Sequence, residues 1–302
     1  MRVDPNYVSN LVGSLDQSQA NTQQLTAELA SGVRISSLSQ DPVASGQNVL
    51  LLNNIQQDDS FTQSSNLVTG QLQVADSTLG SVVSQLTQAV SLATSANNGT
   101  MNANNVKSIG SQISGILDEV LSLANTSYQG QYIFAGGQTS TAPFSTSTSG
   151  SVATTTYNGD ANINYLQTPN GQKIQLNVPG NQIFSASGAD SVFGALNNLI
   201  ADYASGTVNT TQAVSDTTAL GTALNFVSQQ RVTIDNSITQ VTAASSAITS
   251  NETQLSTAQS NLMQADYAQV STQLSLSETQ HTALEDVMAQ LGSASNSLFS
   301  KL

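Results

Sequence analysis

The sequence predicts a mainly α fold with a β-rich insertion. The frame is a long antiparallel helical bundle or coiled coil formed by the N- and C-terminal segments. Three observations carry this. Apolar and small residues recur at spacings of three and four near both ends of the chain. From about Tyr128 to Val208 the pattern alternates instead, among most of the aromatic residues and Pro143, Pro169 and Pro179. The two helical ends flank this region, and pairing with each other is the simplest way to cover their stripes.

The first stripe runs Val8, Leu11, Leu15, Ser18, Thr22, Leu25 and Leu29, a heptad spacing with a weakened middle. Ser31-Gly32 reads as a stop, and Asp41-Pro42 as N-cap and first residue of a new helix. Leu51, Ile55, Leu72, Leu79, Val83, Leu86, Val90 and Ala93 share one register of a long second helix, which Asn97-Asn98-Gly99 ends. Val106, Ile109, Ile113, Ile116, Val120 and Leu123 mark a third.

In the middle, Tyr132 and Phe134 alternate before Gly136-Gly137. Ile163 and Tyr165 alternate on one side of Asn170-Gly171, and Ile174, Leu176 and Val178 on the other. This predicts a β-hairpin closed by a tight primed turn, since Asn-Gly tolerates positive φ. Pro179-Gly180 predicts a type II turn, and Ser145 to Thr156 a low-complexity loop.

Helical period returns from Thr217 without proline. Leu224, Val227, Arg231, Ile234, Ile238, Val241, Ser245, Ile248, Glu252, Leu255 and Leu262 hold one register. Tyr267, Val270, Leu274, His281, Leu284, Leu291 and Leu298 continue in a shifted one, expected to alter the supercoil without ending the helix.

Composition narrows the function. The 302 residues suit two domains or one elongated molecule. Only 8% are charged, against about 25% in ordinary domains, so packing rather than ion pairing must stabilise the helices. A net charge of −13 repels phosphate backbones and anionic lipid, which argues against nucleic acid and membrane as partners. No cysteine is present, which removes disulfides, thiolate metal sites and a Cys nucleophile. The start, Met1-Arg2-Val3-Asp4-Pro5-Asn6-Tyr7, lacks the apolar core of a signal peptide. No stretch approaches the roughly 18 apolar residues of a membrane span. The expectation is a cytoplasmic protein, or one exported by a route that ignores such signals.

Catalytic patterns are missing. His281 is the only histidine, so one chain cannot build a two-His metal site or supply both a triad and a second imidazole. It sits one turn before Glu285, but at a heptad position, where an interface histidine is the simpler reading. No Gly-x-Ser-x-Gly elbow, G-x-G-x-x-G or P-loop occurs. The acidic pairs Asp58-Asp59, Asp118-Glu119 and Glu285-Asp286 lie at adjacent helical positions that point apart, and read as solvated faces. No cofactor or metal is expected.

Short motifs carry a resemblance. Leu29-Ala30-Ser31-Gly32-Val33-Arg34-Ile35 resembles a stretch near the N-terminus of flagellins and hook-associated proteins. Asp41-Pro42-Val43-Ala44 looks like the form typical of hook–filament junction proteins, where flagellin usually has alanine in place of Pro42. Tyr132-Ile133-Phe134-Ala135-Gly136 is similar to a segment after that family's third helix. Thr141-Ala142-Pro143-Phe144, Tyr157-Asn158-Gly159-Asp160 and Asn177-Val178-Pro179-Gly180 followed by Phe184 fit its β region. Pro5, Tyr7 and the ending Leu298-Phe299-Ser300-Lys301-Leu302 depart from the pattern. The chain thus resembles the flagellin superfamily, and within it the hook–filament junction proteins.

The resemblance implies a non-enzymatic structural subunit, secreted through the flagellar type III export apparatus without a cleavable signal and assembled on the bacterial flagellum for motility. Its partners would be the first hook-associated protein and flagellin, with self-association in a ring layer. A cytoplasmic export chaperone would hold the C-terminal helix. Residues 1–45 and 262–302 would form an inner coiled-coil tube, residues 46–136 and 211–261 a helical rod, and residues 137–210 a β-rich outer insertion. Val8, Leu11, Leu15, Leu25, Leu29, Leu274, Leu284, Leu291 and Leu298 would form the assembly interface. Two other readings stay open: flagellin or a minor filament subunit, and a surface adhesin with a helical stalk. An enzyme hidden in the insertion is remote, since that region holds no histidine.

Overall fold

The computed structural model describes residues 5–149, 152–184 and 191–299. Along them run α1 (Pro5–Ser31), α2 (Pro42–Ala96), α3 (Ala103–Ala124), β1 (Ser127–Tyr128), β2 (Gln131–Tyr132), β3 (Phe144–Ser149), β4 (Val152–Tyr157), β5 (Tyr165–Gln167), β6 (Lys173–Gln175), α4 (Gly180–Ile183), α5 (Val192–Ala204), α6 (Thr210–Met263) and α7 (Tyr267–Phe299). Each strand pairs antiparallel with its sequence neighbour, giving three two-stranded ribbons. The chain forms two compact units, Gln57–Ser250 and Met1–Gln56 with Asn251–Leu302. The mainly α architecture with a β-containing insertion is therefore observed.

Gln57–Ser250 holds the large core. On α2, Leu72, Ala75, Leu79, Val82, Leu86, Ala89, Ala93 and Ala96 alternate steps of three and four, and all are buried. On α6, Ala213, Leu220, Val227, Ile234, Val241 and Ile248 repeat every seventh residue and are buried too. Val106, Ile109, Ile113, Ile116 and Val120 of α3 join them. These unbroken stripes are what a helix needs to be held by packing. The β region closes over Phe134, Phe144, Phe184 and Phe193, whose ring centroids lie 5.1–5.7 Å apart.

Several local expectations change. Ser145–Thr156 is no loop: β3 and β4 pair from Phe144↔Tyr157 to Ser149↔Val152. Threonine is β-branched and favours the pleated conformation, which low sequence complexity masks. At Asn170-Gly171 the hairpin is real, but the turn is not a two-residue primed one. Gly171 alone has positive φ there (+85°), and Thr168 N–H donates to Gln172 O across a Pro169-Asn170-Gly171 loop. Pro169 fixes φ near −65°, which suits a type I turn followed by a left-handed glycine. In the same ribbon Tyr165 faces solvent, while Leu166 and Ile174 form the inward pair.

Pro179-Gly180 opens the one-turn helix α4, with Pro179 as N-cap, rather than forming a type II turn. The insertion also contains a 13-residue helix, α5, which was not expected there. Its Phe193, Leu196, Leu199 and Tyr203 are buried, and the Ser191 side chain accepts from Gly194 N–H at its start.

The unit built from the chain ends pairs α1 with α7. The pair is antiparallel: Ser9 to Asn21 lie beside Gln280 to Val287, and Asn21 to Leu25 beside Gln273 to Gln280. Contrary to the expected continuous C-terminal helix, α6 ends at Met263 and α7 begins at Tyr267. Asp266 causes the restart: its Oδ1 accepts from the N–H groups of Ala268 (3.0 Å) and Gln269 (3.1 Å), an N-cap.

Candidate functional site

The residues expected at an assembly interface lie on the α1–α7 pair, next to the turn that follows α1. The seam of the pair is polar. Ser18 (8% exposed) donates to Ser277 O at 3.4 Å, and the Thr22 and Ser277 hydroxyls meet at 2.9 Å. Leu11, Leu15, Leu25, Leu29, Leu274, Leu284 and Leu291 all lie on this pair and are only half-buried. The side chains of Val8 and Leu298 fall outside the described residues. An open groove of ≈ 860 Å³ runs along the pair, lined by Gly13, Ser14, Gln17, Gln280, Leu284 and Val287.

The turn below is tightly built. Gly32 (φ +69°) ends α1 in the left-handed conformation that favours glycine. A Cβ there would collide with the Tyr267 hydroxyl. Val33 then bridges to Gln264, Arg34 N–H donates to Met263 O (2.7 Å), and Ala265 N–H donates to Gly32 O (2.9 Å). The Arg34 guanidinium reaches Leu262 O (3.3 Å) and Asp41 (3.5 Å). Asp41 also caps α2 by accepting from Ala44 N–H at 3.0 Å, directly before Pro42. Gly32, Arg34, Asp41 and Pro42 are thus turn and cap residues, and the segment after α1 is fastened to the break between α6 and α7.

The second group of motif residues is also architectural. Tyr132 N–H donates to Thr139 O, Phe134 is buried in the aromatic cluster, and Gly136 (φ +70°) lies against Asp160. Hydrogen bonds from Gly137 N–H, and next from Asn162 N–H, hold the Asp160 carboxyl below its usual range. Tyr157 closes this turn by donating to Phe134 O (3.0 Å) and Asp160 O (2.8 Å). The Asp160 and Tyr267 roles had no sequence signal beyond the short motifs. The Asp266 cap did, as an acidic residue directly before an apolar-periodic run.

His281 is half-buried on α7, with Nδ1 3.6 Å from Glu285 Oε1. Asp59, Asp118, Glu119, Glu285 and Asp286 are exposed, but Asp58 is not a solvated residue. It is 3% exposed on the α2 face that also carries Phe61, Ser65 and Val68. Among the described residues, no three His, Asp or Glu side chains converge as a metal site, and no helix is long and apolar enough to cross a membrane.

An antiparallel pair of terminal helices in one unit and a helical, β-containing second unit are the parts of a flagellin-like fold, and residues 6–139 match the bacterial flagellin N-terminal helical region. Within that class the chain is similar to flagellar hook-associated protein 3. It is 29% identical to the protein of that name from Salmonella typhimurium over 62% of this chain and 57% of the relative. For the Escherichia coli protein the figures are 30%, 65% and 63%. Both matches span less than two thirds of the relative's length. Among solved structures, a putative flagellar hook-associated protein from Vibrio parahaemolyticus superposes with a TM-score of 0.66 at 17% identity, covering 74% of this chain and 100% of that one. The flagellar junction protein FlgL from Legionella pneumophila gives 0.58 at 15%, covering 72% and 100%. At these identities the structures establish a shared fold. The resemblance first carried by the short motifs is borne out.

Proposed function

We propose that the chain is a non-enzymatic structural subunit of the bacterial flagellum that joins the hook, through the first hook-associated protein, to the filament. The observation that carries this reading is the α1–α7 pair. Its polar seam and half-exposed leucines leave apolar surface for other subunits, in a chain whose curated relatives are both hook-associated proteins. Covering one leucine contributes roughly 1.5–3 kcal/mol, so a stripe repeated in each subunit gives a cooperative assembly.

In this reading residues 1–45 and 262–302 form the inner coiled-coil layer, residues 46–136 and 211–261 the rod around it, and residues 137–210 the outer insertion. Leu11, Leu15, Leu25, Leu29, Leu274, Leu284 and Leu291, with Val8 and Leu298, make the seam between copies in a ring. The C-terminal stripe is covered by an export chaperone before secretion outside the cell. Flagellin is the distal partner. A strain lacking the gene is expected to build hooks and release unpolymerised flagellin into the medium. Electron microscopy showing filaments of normal length would overturn the proposal.

A further inference from the structure

Three asparagines in the chain are followed directly by glycine: Asn98, Asn158 and Asn170. Such a pair carries its own chemistry. The glycine backbone nitrogen can attack the asparagine side-chain Cγ, and with no Cβ on the glycine nothing shields that approach. A five-membered ring closes as the side-chain amide leaves as ammonia. Water then opens the ring at one of its two carbonyls, leaving aspartate or its backbone-lengthened isomer, isoaspartate. The reaction needs an asparagine side chain free to swing back onto the main chain. It also needs a glycine N–H that is not already engaged in a hydrogen bond.

The fold protects two of the three. In the turn beside the aromatic cluster, the Asn158 N–H donates to Pro143 O (2.7 Å) and its Nδ2 to Ser145 Oγ (2.9 Å), so backbone and side chain are both held. A Cβ at Gly159 would meet the Tyr157 ring and Ala135 O, which leaves that backbone no room to turn. At the tip of the β5–β6 hairpin Asn170 is exposed, but the Gly171 N–H donates to Thr168 O at 2.8 Å. Ring closure there requires the turn to open first, and Thr168 is tied to Gln172 by two further bonds (2.8 and 3.0 Å).

Asn98-Gly99 is different. The pair lies just past the end of α2 at Ala96, and both residues are exposed. The Asn98 N–H makes only a long contact to Ser95 O (3.5 Å), and no hydrogen bond among the described residues engages its side chain or the Gly99 N–H. Gly99 has φ +67°, and a Cβ built on it would meet nothing within 4 Å. We propose that Asn98 is a spontaneous modification site, converted to aspartate and isoaspartate while Asn158 and Asn170 stay intact. The product bears on a structural brace. Asn97 accepts from the Tyr203 hydroxyl (3.0 Å) and donates through Nδ2 to Thr217 Oγ1 (3.1 Å), tying the end of α2 to α5 and α6. A new carboxylate at a helix C-terminus opposes the helix dipole. Isoaspartate also adds one carbon to the main chain directly after Asn97, so both products strain the brace.

The test is peptide mass spectrometry of the full chain after incubation at physiological temperature and mildly alkaline pH. Trypsin separates the sites, because no Lys or Arg lies between Arg34 and Lys107 or between Lys107 and Lys173. Residues 35–107 carry Asn98, and residues 108–173 carry Asn158 and Asn170. The expected result is an amide-to-acid mass gain at Asn98 in the first peptide and none at Asn158 or Asn170 in the second. It should be faster at higher pH, because the attacking nitrogen must give up its proton. Asn98→Gln, whose longer side chain would have to close a six-membered ring, should abolish the gain. In denaturant all three pairs lose their surroundings, and the second peptide should then gain mass as well. No gain at Asn98, or a native chain in which Asn158 or Asn170 reacts as fast as Asn98, overturns the proposal.

Discussion

The two units are made from the same helix and much the same polar alphabet, yet only one of them fills its heptads with apolar residues. In Gln57–Ser250 the repeating positions of α2 and α6 hold Leu, Val, Ile and Ala at or near zero exposure. In the unit of the chain ends, the equivalent seam of α1 and α7 buries Ser18 and Ser277 and leaves its leucines half-covered. Val43 and Leu50, on the part of α2 in that unit, are 71% and 65% exposed. One unit is completed by its own core. The other retains exposed apolar surface, which the proposed assembly would cover.

The comparison breaks most visibly in the aromatic cluster. Phe184 is fully buried against Phe134, Phe144 and Phe193. Phe184→Ala is expected to cost about 3–5 kcal/mol by lost transfer energy and a residual cavity, read as a lower denaturant midpoint. A loss below about 1 kcal/mol would show that this unit is not the self-sufficient one. Limited proteolysis of the purified monomer sharpens the same point. Cleavage should begin in α1 and α7, which have little buried apolar area to offset an ordering cost of roughly 1–2 kcal/mol per residue. A resistant fragment should remain near residues 57–250. Equal protection of α1 in dilute monomer would contradict this.

A smaller effect is expected at the turn that fastens α1. Gly32→Ala must accept positive φ, at roughly 1–2 kcal/mol, and must displace the Tyr267 hydroxyl. Cleavage near residues 263–267 should speed up while the core unit keeps its melting temperature. Protection unchanged at that break would mean the turn tolerates the extra carbon.

Much of this was legible in the sequence because helical period is a strong signal when the stripe is apolar. Leu72 to Ala93 and Val106 to Val120 announce their buried faces directly, and Asp41-Pro42 announces a helix start. The failures share a cause. Thr146 and Thr155 pair across a ribbon whose alternation is invisible when both faces are hydroxyls. The break at residues 264–266 looked like a register shift because apolar spacing resumes at once at Tyr267 and Val270. Only the Asp266 cap and the bridge from Val33 distinguish ending from shifting. The seam was legible as weak heptads, but its hydroxyl contacts depend on the exact pairing of α1 with α7, which one sequence does not specify.

The smallest effect on the monomer, and the sharpest test of the difference between units, is the double substitution Leu284→Ala with Leu291→Ala. Both leucines are half-buried on α7, and Leu284 lines the open groove beside α1. A fully buried leucine truncated to alanine costs about 2–5 kcal/mol because a cavity remains. A side chain already facing solvent leaves no cavity and forfeits only part of its transfer energy. The monomer should therefore melt within a few degrees of wild type. In the assembled state the same positions are proposed to be covered, so the full burial energy of two side chains is lost at every copy. Motility should fall sharply and co-purification with a chaperone should weaken, while circular dichroism of the monomer stays unchanged. A large drop in melting temperature with motility intact would make the stripe ordinary monomer core, and the two units would then differ in composition but not in role.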